Sequence, residues 1–185
     1  TLSSIDGSRT YVTSLVTNGY DAQTGALVFT EQRQTSGHRT SDGTVSVSVS
    51  ANRLEYTQEA QSDGTFRQRF TGGKDLTSTL DENNLLTWGP ERIAFDVDGD
   101  GTRSEISYEG SLSASKTLFG EVSFTKAKTT WVEVAPGLPR ESTVTQETMT
   151  FGNDGSVSTQ TSQVSRCIRG WYRGIDRRWR PRCSR

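Results

Sequence analysis

The sequence predicts an all-β protein, an antiparallel meander of long hairpins that forms a β-barrel or a β-sandwich. Three observations carry this prediction. Hydrophobic residues make up only 30% of the 185 residues, which suits thin layers in which Ser and Thr occupy strand positions. Apolar and polar residues alternate over long stretches. The chain also has 18 glycines against four prolines, which is typical of many tight turns.

The strands are defined by alternation with a period of two. Val45, Val47 and Val49 share one face of their strand, with Ser or Thr between them, and residues 104–114 repeat the pattern. Nothing comparable occurs at helical spacing, and the best helical candidate, 75–86, is rich in β-branched and cap-forming residues. The predicted strands are 9–17, 25–35, 44–59, 64–71, 76–81, 91–97, 104–114, 119–135, 142–152 and 156–166.

Short turns join these strands. An Asx-Gly pair is the strongest short-range hairpin signal, because both central residues of a type I′ turn need positive φ. Four pairs are candidates: Asp42-Gly43, Asp63-Gly64, Asp154-Gly155 and Asn18-Gly19. The Pro-containing stretch 135–141 predicts a surface loop too short to be a domain linker. We therefore predict one antiparallel β domain, 1–166, on which a basic hairpin, 167–185, packs.

The most specific motif is FDVDGDGTRSEI, residues 95–106, in which three aspartates alternate before a glycine. Carboxylates at i, i+2 and i+4 wrap a hard cation when glycine turns the chain sharply after the third. A cation also removes the repulsion among the three carboxylates. We predict a structural calcium ion bound by Asp96, Asp98 and Asp100, by the Thr102 carbonyl, and by Ser104 or Glu105.

This loop resembles the Asp-x-Asp-x-Asp-Gly loops of EF-hands and of the FG-GAP repeats in secreted and cell-surface β-proteins. The resemblance covers residues 95–106 alone. Ser107 stands where an EF-hand has its bidentate Glu, and no helical pattern flanks the loop, so the FG-GAP type, a loop between two strands, is the better match. The resemblance implies a calcium-dependent extracellular module.

Both cysteines lie in the C-terminal stretch CIRGWYRGIDRRWRPRCSR. The chain has one histidine and no Cys-x-x-Cys, which argues against zinc and favours a Cys167–Cys183 disulfide. A disulfide implies the periplasm, the cell surface or the medium. The bond would close a hairpin that sets Trp171 opposite Trp179, and Pro181 would fall where its missing N–H is not needed.

Charge is divided unevenly between the body and this tail. Residues 166–185 hold eight Arg and one Asp, so 13 basic and 21 acidic residues remain for 1–165, leaving the body near −8 and the tail near +7. The tail either packs on the acidic body, binds anions and sugars, or rests on an anionic membrane surface. Its candidate partner-binding residues are Arg169, Trp171, Arg173, Arg177 and Trp179.

The sequence shows no catalytic motif. The single histidine, His38, lies in a polar stretch predicted to be a surface loop, and neither a Gly-x-Ser-x-Gly nor a phosphate loop occurs. We expect a non-catalytic, secreted or cell-surface module that binds a glycan, an anionic partner or a protein. The acidic body disfavours nucleic acid, and no apolar stretch is long enough for a membrane helix. The alternatives are an enzyme acting on acidic polysaccharide through an Arg, Tyr and His38 groove, and a structural domain of a larger surface assembly or toxin.

Overall fold

A computed structural model describes residues 2–3, 7–80 and 106–165. The predicted calcium loop, the predicted strand 91–97 and the C-terminal hairpin with its two cysteines lie outside the described residues. Among those that are described, no helix qualifies as a membrane span. The strands are β1 Leu2–Ser3, β2 Arg9–Tyr20, β3 Leu27–Arg39, β4 Val45–Ala60, β5 Phe66–Asp75, β6 Thr77–Leu80, β7 Ile106–Glu109, β8 Ser111–Lys116, β9 Val122–Ala135, β10 Leu138–Phe151 and β11 Val157–Ser165.

Most strands belong to one large antiparallel sheet, which confirms the predicted all-β class and the long hairpins. Its order is β1-β2-β3-β4-β8-β9-β10-β11, with β5 as a branch on β4. A second sheet consists of β6 and β7. Within the described part of the chain, β2 and β11 stand at opposite sides of the large sheet and do not pair with each other. The described strands therefore form an open sheet and not a closed barrel.

The longest strand, β4, shares one of its edges between two partners. Val45–Val49 pair with β8, whereas the residues from Asn52 onward pair with β5. At the change of partner, the amide of Leu76 donates to the carbonyl of Ala51 (2.8 Å), and the amide of Gly110 donates to the carbonyl of Leu76 (3.1 Å). These two bonds mark where β5 leaves the large sheet to become β6 and where β7 enters it as β8.

The hydrophobic core lies between the two sheets. The small sheet covers β4 and β8 and supplies Leu80, which is 2% exposed. The valine alternation predicted from the sequence contributes three buried side chains from β4. Seven residues form the core cluster: Val45, Val47, Val49, Leu80, Leu112, Ala114 and Phe124. Because the described core residues are confined to this patch, β2 and β11 are mostly exposed in the described part of the chain.

Four hairpin turns share one geometry, at residues 40–44, 61–65, 117–121 and 152–156. In each, the first amide donates to the fifth carbonyl (2.8–2.9 Å), and a fourth-position glycine with φ of +79° to +86° donates to the first carbonyl (3.0–3.1 Å). The three Asp-Gly turns are thus confirmed in position. They are not of type I′, because among the described residues only glycines have positive φ. Each is a type I turn followed by a left-handed glycine.

The predicted turn at Asn18-Gly19 is wrong. Both residues lie inside β2, and Gly19 is opposite Phe29 on β3, with no room for a side chain because a Cβ would come 2.1 Å from the ring. Glycine here permits close approach of an aromatic ring, not a turn. The chain reverses instead at residues 21–25, where the carboxylate of Asp21 accepts the amide of Thr24 (2.8 Å).

Two other predictions differ in detail. The expected loop 135–141 is a short turn, since β9 ends at Ala135 and β10 begins at Leu138. Pro139 enters the strand at an irregularity of the β9–β10 register, where its missing N–H is tolerated. In the helical candidate 75–86, the described residues 75–80 form the end of β5 and strand β6, which favours a strand over a helix there.

Candidate functional site

A groove of about 230 Å³ opens beside β6 on the core side of the large sheet. In the described part of the chain β6 pairs with β7 alone, so its other edge is left to border the groove. The groove exists because the small sheet packs on β4 and stops short of β3. Three strands contribute its lining: Arg33, Gln34 and Thr35 of β3, Val49, Ser50 and Ala51 of β4, and Thr77, Ser78 and Thr79 of β6.

Hydroxyl groups and one guanidinium give the groove its chemistry. The Ser78 hydroxyl is buried and donates to the carbonyl of Gly110, while Thr79 lies 2.9 Å from the Ser107 hydroxyl. These bonds fix the β6 side of the groove in place. Polar groups held by the scaffold suit recognition of a ligand that carries hydroxyl groups of its own.

Arg33 is the charged residue of the groove. Its Nε donates to a carboxylate oxygen of Glu31 at 2.9 Å, and its side chain is 52% exposed. Among the described residues no acceptor is bonded to its terminal nitrogens. The described residues therefore leave part of its planar donor fork available for a carboxylate, sulfate or phosphate group.

A second cationic feature lies on the same face, at the end where β2 begins. Arg9 is opposite Arg39, Arg39 is opposite Val45, and Val45 is opposite Lys116. Residues opposite each other in a ladder have side chains on the same face, so the three cations form one row across the sheet. We call Arg9, Arg39 and Lys116 the cationic row. It lies six residues along β3 from Arg33, or about 20 Å at the usual strand rise.

His38 lies in β3 and not in the loop that the sequence predicted. Its Nδ1 is 2.8 Å from the hydroxyl of Thr10, its partner on β2. Alternation along β3 places His38 on the opposite face of the sheet from Arg33 and Arg39. The histidine and the groove are therefore on different surfaces.

The face that carries His38 is rich in hydroxyl groups. Successive ladder partners form a row across the sheet: Val12, Ser36, Ser48, Ser113, Thr125, Thr148 and Gln160. Neighbouring hydroxyls bond one another, at 2.7 Å for Ser36 and Ser48 and 3.0 Å for Thr125 and Thr148. With strands ~4.8 Å apart, the row extends for about 29 Å. This broad polar face suits contact with an extended surface and not with a small molecule.

Two carboxylates connect β5 with the second half of β9, where no described ladder joins these strands. Glu133 accepts the amides of Phe70 (3.0 Å) and Gly137 (2.8 Å) and forms an ion pair with Arg69 (3.0 Å). The two amides, and then Arg69, hold the pKa of Glu133 below its usual value. We call this contact between β5 and β9 the carboxylate seam.

Asp75 is the second carboxylate of the seam, and its pKa is shifted in the opposite direction from the pKa of Glu133. It accepts the amide of Thr129 at 2.8 Å. Burial raises the pKa of Asp75, and the hydrogen bond from Thr129 and the charge of Lys128 offset this only in part. Nearby, Trp131 lies so close over Gly73 that a Cβ there would be 2.7 Å from the indole. The seam is thus packed as well as hydrogen-bonded.

The metal and tail residues predicted from the sequence remain predictions. Asp96 to Glu105 and the residues from Arg169 to Trp179 lie outside the ranges that the structure describes. Among the residues that the structure does describe, no group of three or more His, Cys, Asp or Glu side chains is placed to hold a metal ion. Comparisons with protein-family models, with curated proteins and with solved structures find no match.

Sequence reasoning missed both the groove and the cationic row. The groove depends on β5 leaving the sheet to become β6; the sequence predicted two strands here, 64–71 and 76–81, but nothing in it indicated that the second belongs to another sheet. The row depends on the β2–β3 register, and a turn at Asn18-Gly19 would not have placed Arg9 opposite Arg39. The stretch from Asp21 to Gly25, which begins with Asp and ends with Gly as turns often do, forms the turn that gives the observed register.

Proposed function

We propose that this chain is a non-catalytic, secreted or cell-surface β-module that binds a glycan or another anionic or protein partner. The observation that carries the proposal is the groove beside β6, which combines hydroxyl groups with the half-exposed guanidinium of Arg33. Sugars present hydroxyl groups, and acidic sugars add carboxylate or sulfate, so the lining matches a glycan in both respects.

The form of the described sheet supports a binding role. Among the described strands only β6 and β7 pack on the large sheet as a second layer, so the described residues leave most of both faces uncovered. The groove is shallow and lies beside one of these faces, as a site for part of a polymer would. A polar face some 29 Å across, by the usual strand spacing, offers further contacts.

The proposal includes a structural calcium at Asp96, Asp98 and Asp100. Leu80 and Ile106, which flank the segment that contains these aspartates, are ladder partners at one end of the small sheet. An ion bound by that segment would stiffen the connection that joins β6 to β7, and β6 borders the groove.

The proposal also includes a Cys167–Cys183 hairpin whose arginines and tryptophans add a second binding surface.

The test is a glycan array that contains neutral and acidic glycans, probed with the full chain in the presence and absence of calcium. We compare the wild type with Arg33→Ala and with Trp171→Ala/Trp179→Ala. Arg67→Ala is the matched control, because Arg67 is exposed and lies at the far end of β5. We expect binding that falls at least about fivefold in the first or second variant and not in the control, as loss of a charge-assisted bond or a stacked ring predicts. An array without any bound glycan contradicts the glycan-binding function that the groove carries.

A further inference from the structure

We propose that Arg9 and Arg39, with Lys116 beside them, form a binding site for the oxyanion groups of an acidic polysaccharide. The inference rests on the proposed function and names both the class of glycan and a second place where it binds. The observation behind it is an electrostatic imbalance in the β2–β3 ladder, where two arginines are direct partners. Like charges placed opposite each other destabilise a sheet.

Elsewhere in the sheet, a carboxylate relieves the same kind of repulsion. Arg53 and Lys74 are also ladder partners, and Glu55 lies 3.4 Å from the first and 3.3 Å from the second. Arg9 and Arg39 form no ion pair with any described residue. An anion supplied by a ligand would therefore occupy the role that Glu55 has between Arg53 and Lys74.

The spacing of the two arginines suits a single oxyanion. Opposed residues have Cα atoms about 4.5–5.5 Å apart, so both guanidinium forks can reach one carboxylate or sulfate group. Val45 stands next in the row and is 8% exposed, so one side of such an anion would face apolar surface. Reduced solvation on that side strengthens charge-assisted hydrogen bonds.

The extent of the positive charge points to a polymer with repeated anionic groups. Lys116 lies two strands from Arg39, about 10 Å at the usual strand spacing, and Arg33 lies about 20 Å along β3 in the groove. A single small anion reaches only one of these positions. An extended acidic polysaccharide can reach several, and its hydroxyl groups match the hydroxyl lining of the groove beside β6.

The test measures binding of the full chain to polygalacturonate and to dextran sulfate, with uncharged dextran as the backbone control. We compare the wild type with Arg9→Gln/Arg39→Gln. The matched control is Arg67→Gln/Arg140→Gln, which removes the same charge. Both control residues are exposed and lie near the other end of the strands. Arg67 is the ladder partner of Glu59, and Glu59 is fourteen residues beyond Val45 on β4.

We expect Arg9→Gln/Arg39→Gln to weaken binding of at least one acidic polymer about tenfold or more, and the control pair to change it less than about threefold. The melting temperature of Arg9→Gln/Arg39→Gln should be equal to or above that of the wild type, because the substitution removes repulsion. Unfolding of this variant at a much lower temperature contradicts the premise that the two arginines repel each other.

Three results would overturn the inference. Equal losses in both double variants would show that only net charge matters, and unchanged binding in both would place the anion site elsewhere, such as in the C-terminal tail. Failure of the wild type to bind either acidic polymer would also exclude the site. If neutral glycans still bind in the array, the inference fails while the proposed function stands; if no glycan binds, both fail.

Discussion

Glu133 shows how one side chain can replace the backbone hydrogen bonds that would otherwise join two strands, here β5 and β9. Its carboxylate joins the amide of Phe70 on β5 to the amide of Gly137 in the turn after β9. From sequence alone an acid in a strand is expected to face solvent. One of these partners, Phe70, is 63 residues away along the chain, so no local sequence pattern reveals the contact.

Substitution of Glu133 tests the carboxylate seam. In Glu133→Ala the amides of Phe70 and Gly137 lose their acceptor and Arg69 loses an ion pair. We expect the free energy of unfolding to fall by about 1–3 kcal/mol, the range for a lost charged acceptor. Urea unfolding measures the change, and Glu121→Ala, an exposed acid in a turn, is the matched control. An effect no larger than that of Glu121→Ala would show that the Glu133 contacts of the seam add nothing to stability.

The same substitution has a defined pH dependence. Because the pKa of Glu133 is lowered in the folded protein, its stabilisation is present above the unfolded pKa and is lost as pH falls through the folded pKa. Urea unfolding of Glu133→Ala and the wild type should therefore converge in acid. Asp75 acts in the opposite direction: its pKa is raised by burial, so its ionisation costs stability as pH rises. A stability difference that stays constant down to strongly acidic pH would contradict the role of the Glu133 charge.

At the scale of elements, the strands were predictable and their partners were less so. Alternation located the long strands to within a few residues, because a half-buried strand must repeat with a period of two. It wrongly joined β7 and β8 into one strand, 104–114, which the structure divides at Gly110 between the two sheets. The Asp-Gly turns were found for a related reason: a left-handed residue strongly favours glycine. The turn at 117–121 has the same geometry but places Leu118 and Phe119 where the other turns have polar residues. Register and partner exchange, as on β4, depend on contacts between distant segments.

Strand β11, which lies at one edge of the described sheet, leads to a prediction about association. All nine of its residues are exposed, none is charged, and each has a partner on β10 without a register shift. A regular, uncharged edge is a template for pairing with another strand, whereas a lysine on an edge opposes it. We expect weak, concentration-dependent association in sedimentation velocity, reduced in Thr161→Lys. Thr145→Lys, on an inner strand, is the control.

This edge bears on the alternative in which the chain is a structural domain of a larger assembly. Association that Thr161→Lys suppresses and Thr145→Lys leaves intact would favour that alternative. A protein that stays monomeric at high concentration would remove the support that β11 gives to it.

For the molecule as a whole, the sequence predicted the fold class and left the architecture open between a barrel and a sandwich. Composition and alternation are properties of single strands, so they indicate an all-β chain. Closure depends on how the first and last strands meet, and the described strands leave β2 and β11 apart. The local two-layer packing arises because β6 and β7 leave the sheet, which no single-strand property encodes.

The proposed calcium ion and disulfide are tested together by thermal unfolding. If Asp96, Asp98 and Asp100 bind calcium, excess EDTA should lower the melting temperature and added calcium should restore it. If Cys167 and Cys183 are bonded, a reductant should lower it further. Asp96→Asn and Cys183→Ser should abolish the respective responses. An unchanged melting temperature in EDTA removes the calcium site, and free thiols detected in the untreated protein remove the disulfide.

The shared edge of β4 has a consequence for how the molecule resists being pulled apart. The long strands of the large sheet form two hairpin meanders, β2 to β5 and β8 to β11, and the only described ladder between the two has five residue pairs, from β4 to β8. Three of those five β4 positions, Val45, Val47 and Val49, are also core residues. Tension between the two meanders would therefore have to break this short ladder and the carboxylate seam and expose the hydrophobic core, so a junction of only five residue pairs is mechanically reinforced by burial and by the seam.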